Sequence, residues 1–97
     1  MRIVAKKTLL DCAHRHADAR SAFLDWLASV ERAEWSSPAD VQSGRWNPST
    51  LPGNRAVFRI RGNRYRIITE IDYRNQVVLI RFAGTHSQYD KVDAETI

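Results

Sequence analysis

An α+β fold is predicted by three observations: helical spacing of apolar residues confined to the first third of the chain, strand-like alternation beyond Gly53, and two short turn-forming pairs that divide the alternating region. The expected architecture is a small antiparallel sheet, a short N-terminal strand plus a three-strand meander, packed on two helices in one domain spanning residues 1–97. Arg2 to Ala5 reads as the first strand, with Ile3 and Ala5 on one side. Thr8-Leu9-Leu10-Asp11 has capping-box spacing, which predicts a short helix to about His16. Asp18 is placed to cap a second helix to about Ala33, whose inner face is Ala19, Ala22, Phe23, Trp26, Leu27 and Val30. That spacing is the mark of a core face.

Ser36-Ser37-Pro38 ends the second helix, Pro38 to Val41 can form one more turn, and a polar loop then runs to Gly53. Within the loop Trp46 either anchors the chain or stacks on a base. Arg55 to Arg61 and Arg64 to Ile71 flank Gly62-Asn63, a pair that closes tight hairpins, and Tyr73 to Gln76 turns the chain into a third strand, Val77 to Ala83.

The first turn fixes a register. With Gly62 and Asn63 as loop residues, Arg61 faces Arg64, Arg59 faces Arg66 and Val57 faces Ile68. If Arg74-Asn75 closes the second hairpin in the same way, Phe82 faces Ile67 and Arg81 faces Ile68. Phe58, Ile60, Tyr65, Ile67 and Phe82 then meet the helices, while Arg59, Arg61, Arg64, Arg66 and Arg81 gather on the reverse face. Like charges directly opposite on neighbouring strands repel. Such a row points to a missing anion, although arginines at a hairpin tip can also splay into water.

With 97 residues the chain can bury one modest core. Cys12 is the only cysteine, which excludes an internal disulfide and a cysteine-based zinc site and fits the reducing cytoplasm. It reads as a small buried filler. No segment has the length of a signal peptide's apolar stretch or of a membrane span, so an unprocessed, membrane-free protein is expected. The formal charge is +4 and the isoelectric point about 9.7, which favours polyanionic partners. Between Gly53 and Arg81 every basic residue is arginine. A planar, permanently charged fork suits phosphate, so this bias points to a nucleic-acid backbone or else to an arginine-rich solvated surface.

The densest chemistry follows the last strand, in Val77-Val78-Leu79-Ile80-Arg81-Phe82-Ala83-Gly84-Thr85-His86-Ser87-Gln88-Tyr89-Asp90-Lys91. Arg81 leaves the strand on the basic face, Gly84 lets the backbone turn, and His86, Tyr89 and Lys91 come within reach of that face. Cleaving RNA through its own 2′-hydroxyl needs a base, an acid for the departing 5′-oxygen and positive charge around the phosphorane; it needs no metal or other cofactor. Imidazole can exchange protons near neutral pH, so His86 is the candidate for acid or base; it could equally hold the chain by hydrogen bonds at a strand end. His14 and His16 lack partnering ligands and read as solvated helix-end residues, so no metal site is expected.

Gly62-Asn63-Arg64-Tyr65-Arg66 and Ile80-Arg81-Phe82-Ala83-Gly84-Thr85-His86-Ser87-Gln88-Tyr89-Asp90-Lys91 resemble the HigB family of toxins, within the broader RelE-like group. Met1-Arg2-Ile3-Val4, Ala33-Glu34-Trp35-Ser36-Ser37-Pro38-Ala39-Asp40 and Gly53-Asn54-Arg55-Ala56-Val57-Phe58 extend the likeness over nearly the whole chain. The resemblance implies the toxin of a type II toxin–antitoxin pair, a ribosome-dependent mRNA endonuclease that halts translation in the cytoplasm. It also implies a helix-turn-helix antitoxin of the HigA kind, with no DNA binding by this chain alone. The family chemistry falls on Arg64, Arg66, Arg81, His86 and Tyr89. Where the family commonly has lysine this chain has Arg64, which keeps the charge but is a poorer proton donor, and Arg59 and Arg61 are additional charge.

The leading expectation is therefore a metal-independent RNase. His86 acts as general acid or base, Arg66 and Arg81 hold the scissile phosphate, and Tyr89 orients or stacks on a nucleotide. Arg64, Lys91, Arg61 and Arg59 track the RNA backbone. The alternatives are a non-catalytic RNA- or ribosome-binding module on the same face, or a subunit whose arginines dock an acidic protein segment.

Overall fold

The computed structural model describes residues 1–97 as an α+β protein built on a five-stranded sheet. In chain order the elements are β1 (Arg2–Val4), α1 (Lys6–Arg15), a 3-10 turn (Ala17–Ala19), α2 (Arg20–Arg32), α3 (Pro38–Ser43), β2 (Ser49–Leu51), β3 (Arg55–Ile60), β4 (Tyr65–Asp72), β5 (Val77–Thr85) and α4 (His86–Tyr89). The strand order is β1-β5-β4-β3-β2. β1 lies parallel to β5, with Ile3 beside Val78, so the sheet is mixed and not purely antiparallel. Joining parallel neighbours requires a long crossover, here everything from α1 to β4. The expected loop before Gly53 contributes β2, a short edge strand between Pro48 and Pro52.

One core fills the space between the helices and one sheet face. Leu9, Cys12, Phe23, Trp26 and Val30 from α1 and α2 meet Ile3, Phe58, Ile60, Ile67, Ile71, Val78 and Ile80 from the strands. Each fully buried large apolar side chain contributes about 1.5–3 kcal/mol relative to exposure. Phe58 sits at the centre, edge-on to Trp26 at 5.2 Å and stacked on Trp35 at 6.1 Å. Cys12 is buried as expected, and burial raises its thiol pKa. Trp46 packs partly buried against the core under the Arg45 guanidinium, which supports its role as a loop anchor.

Two capping expectations give way to tertiary contacts. α1 begins at Lys6, before Thr8, and its N-cap is Ala5 in a left-handed conformation with no side-chain cap. Asp18 caps nothing: it lies in the 3-10 turn that precedes α2, and its carboxylate accepts instead from the Tyr65 hydroxyl at 2.8 Å. α3 does start as read, with Pro38 in its first turn and the Ser37 hydroxyl accepting from Asp40 N–H.

The β3–β4 register is the expected one. Val57 faces Ile68, Arg59 faces Arg66 and Ile60 faces Tyr65, with Gly62 in the left-handed region of the turn. Arg61 leaves the ladder, itself left-handed at φ 53°, and its guanidinium bonds the Asp18 backbone oxygen and carboxylate. It therefore turns toward the helix side, not onto the reverse face. Along β4–β5 the expected register holds from Asp72–Val77 to Thr69–Ile80, then shifts by one residue. Arg81 is the extra residue of a β-bulge, so Phe82 faces Ile68 and Ala83 faces Ile67. Phe82 is thus on the reverse face, and Ala83 takes its expected place in the core.

Candidate active site

β5 ends in a tight strand-to-helix turn that delivers His86, Tyr89 and Asp90. Thr85 is the N-cap of α4: its hydroxyl accepts from Gln88 N–H at 3.2 Å, and the Gln88 side-chain oxygen accepts from Thr85 N–H at 2.9 Å. This reciprocal capping box stabilises a helix of one turn that could not persist alone. Gly84 allows it to fold back. A Cβ at Gly84 would lie 2.6 Å from that same Gln88 oxygen and 2.8 Å from the Phe82 ring, so only hydrogen fits between them. The His86 N–H donates to the Arg64 carbonyl at 2.8 Å, which ties the start of α4 to the β3–β4 hairpin.

Arg66 is the buried cation of this region, 7% exposed on the reverse face of β4. Its two terminal nitrogens donate to the Asn63 carbonyl at 3.0 Å and the Asn63 side-chain oxygen at 2.7 Å. The guanidinium lies over the Tyr89 ring at 5.4 Å, a cation–π arrangement. No carboxylate comes within ion-pair distance. Neutral oxygens and a π face orient the charge without cancelling it. Arg59, directly across the ladder, is exposed and adds a second positive charge, with one bond to the Ser49 hydroxyl at 3.2 Å.

His86 stands perpendicular to Tyr89, ring centroids 6.5 Å apart. Its Nδ1 is 3.1 Å from the Asp90 carboxylate, one helical turn on. A carboxylate only accepts, so this bond puts the proton on Nδ1 and leaves the Nε2 lone pair free to take a proton. Asp90 thereby orients the ring. Residue by residue, Arg66, His86 and Tyr89 come together, and Lys91 follows them exposed at the end of α4. Arg64 and Arg61 share Asp18 instead, at 4.0 and 3.1 Å. Arg81, bulged and exposed, donates through Nε to the backbone oxygen of Ile97 at 2.9 Å.

Three participants were not expected from the sequence: Asp90, Asn63 and Asp18. Asp90 has a signal, four residues after His86 on a helix, but only once Thr85-His86-Ser87-Gln88 is read as a capping box. Asn63 looked like a turn residue alone. Asp18 sits 47 positions from Tyr65, beyond any local pattern. The Tyr65 hydroxyl bond is the main cause holding the Asp18 carboxyl below its ordinary pKa, with Arg61 adding to it; the same bond pushes Tyr65 up.

Residues 19–92 match the family model described as HigB_toxin, RelE-like toxic component of a toxin–antitoxin system. The chain belongs to the HigB toxin family. The match spans α2 to just beyond α4 and so includes Arg66, His86, Tyr89 and Lys91. Membership of a toxin–antitoxin family implies an antitoxin partner. A search of curated proteins finds no match. No helix is long and apolar enough to cross a membrane. The two concave surfaces of the molecule, about 930 and 600 Å³, lie around the β4–β5 hairpin, at the other end of β5 from α4. Neither concave surface is lined by Arg66, His86 or Tyr89.

Proposed function

We propose that this HigB-family toxin is a ribosome-dependent mRNA endonuclease whose reacting centre is Arg66, His86 and Tyr89. The observation that carries this reading is the buried Arg66 fork, oriented by Asn63 and Tyr89 and unpaired with any carboxylate, on the same Tyr89 ring that His86 meets edge-on. In the reaction, Nε2 of His86 takes the proton of the 2′-hydroxyl as that oxygen attacks the adjacent phosphorus. Arg66 holds the phosphate and stabilises the phosphorane, in which negative charge is greatest. The bond to the 5′-oxygen breaks, that oxygen gains a proton, and the products are a 2′,3′-cyclic phosphate and a 5′-hydroxyl. Tyr89 keeps Arg66 in place and offers its ring edge to a nucleotide, while Arg59, Arg64 and Lys91 attract the flanking backbone. Decoding-site RNA on the ribosome supplies a message held extended, and action there implies the cytoplasm. The antitoxin partner is a helix-turn-helix protein on this reading.

Arg66→Ala and His86→Ala test it in a translating extract, with folding checked by circular dichroism. Each should lower message cleavage by roughly 10² or more. Cleavage at the parent rate by a folded His86→Ala and Arg66→Ala pair would remove the assignment.

A further inference from the structure

The reverse face of the sheet carries a second cationic centre. Val57 and Ile68 point away from the helices, yet they are only 4% and 0% exposed. The chain beyond α4 folds back over that side. Arg55 donates to the backbone oxygens of Ala94 at 3.0 Å and Ile97 at 2.7 Å, and Arg81 donates to the same Ile97 oxygen at 2.9 Å. Residues 93–97 are otherwise closed on themselves, Ile97 N–H to the Asp93 carbonyl and Glu95 N–H to the Asp93 carboxylate, and pair with no strand of the sheet.

Arg55 is 8% exposed, and neither it nor Arg81 has an Asp or Glu side chain within ion-pair distance. Glu70 stands across the ladder from Arg55 without bonding it. Two guanidinium groups thus converge on one oxygen, the geometry that binds a non-bridging phosphate oxygen. The Ile97 oxygen marks the position that a phosphate oxygen would take between the two guanidinium groups. The pair lies on the same face as Arg66. Arg55 is level with Glu70, four residues along β4 from Arg66, or about 13 Å at ~3.3 Å per residue; the Arg81 bulge falls between them.

We propose that Arg55 and Arg81 form a phosphate subsite for a nucleotide flanking the cleavage position, and that residues 93–97 are a strap filling it until RNA displaces them. The inference rests on the RNA-cleaving reading above. Arg81 then acts on a neighbouring phosphate rather than the scissile one, and Arg55, outside the expected site, becomes part of substrate binding. RNA is favoured over an acidic protein segment because the subsite continues the row of Arg59 and Arg66 on one face at polymer spacing.

The test uses an RNA oligonucleotide made uncleavable by a 2′-deoxy substitution, with binding followed by fluorescence anisotropy across salt concentrations. Deleting residues 93–97 should tighten binding several-fold and steepen the salt dependence by about 0.7 in log–log slope for the phosphate gained. Arg81→Gln in the strapless chain should abolish both gains. Equal affinity and slope with and without the strap, or gains that survive Arg81→Gln, would overturn the proposal. In the intact chain, hydrogen exchange at the Thr96 and Ile97 amides should speed up when RNA binds; unchanged protection in the complex also overturns it, whatever the fate of the deletion variant. Exposure of those amides by an acidic peptide but not by RNA would reject the substrate assignment. If Arg66→Ala weakens RNA binding and Arg81→Gln does not, only the subsite falls. Loss of neither interaction would count against the RNA-cleaving reading itself.

Discussion

Asp90 acts on the substrate only through His86. Replacing it with asparagine keeps the shape and allows the side chain to donate as well as accept, so the imidazole is no longer held in the tautomer with a free Nε2. Asp90→Asn should lower kcat by about 10² with little change in KM, and Asp90→Glu should restore part of the loss. A KM effect alone would show that Asp90 holds RNA and does not position the base. Asp18 makes a different prediction. Its carboxyl is held below the ordinary range by the Tyr65 hydroxyl and then by Arg61, so the folded state favours the ionised form. That stabilisation is fully present above the unfolded value, near ~3.9, and is lost as pH falls through the lower folded value. Chemical denaturation between pH 5 and 2.5 should therefore show a smaller acid loss in Asp18→Asn than in the parent; equal losses would contradict the assignment. How legible these residues were depends on range. Arg66 and His86 could be found because alternation and a following turn are local patterns, whereas Asp18 and Asn63 act through contacts that only the folded chain makes.

At the scale of elements, α4 depends on close approach. Gly84→Ala would push its methyl group into a Gln88 oxygen already held by Thr85 N–H and into the Phe82 ring. The expected cost is about 1–3 kcal/mol of stability, read by urea denaturation, together with reduced cleavage as His86 shifts. Parent-like stability would mean that the turn accommodates a side chain. The β3–β4 register up to Ile60–Tyr65 was legible because Gly62-Asn63 marks the turn and only one register puts Phe58, Ile60, Tyr65 and Ile67 together, while the departure of Arg61 from the ladder was not. The β5 bulge was not. Val77 to Ala83 is apolar at nearly every position, and Ile68 opposite is apolar too, so a one-residue slip leaves no trace in the hydrophobic pattern. α4 is too short for periodicity, and its one sign was the capping-box spacing from Thr85 to Gln88.

For the molecule as a whole, topology explains why the site is where it is. The helices cover one sheet face and supply the core, which leaves the other face to the arginines of β3, β4 and β5 and to the chain that follows them. Alternation was enough to anticipate that division of labour. The parallel pairing of β1 with β5 was hidden, because it joins segments about 75 residues apart and no local pattern encodes such a partner. The strap was hidden for the same reason: its contacts are backbone oxygens, which any sequence provides.

The proposed route of RNA cleavage is attack by the neighbouring 2′-hydroxyl at the Arg66–His86 centre. A message carrying a single 2′-deoxy nucleotide at the cut position, presented on translating ribosomes, measures this most directly. By this route the substituted message should survive intact while the all-ribose message yields a 2′,3′-cyclic phosphate end. Cutting of the deoxy-substituted message at the same position, or a 3′-hydroxyl end on the ribose product, would contradict it.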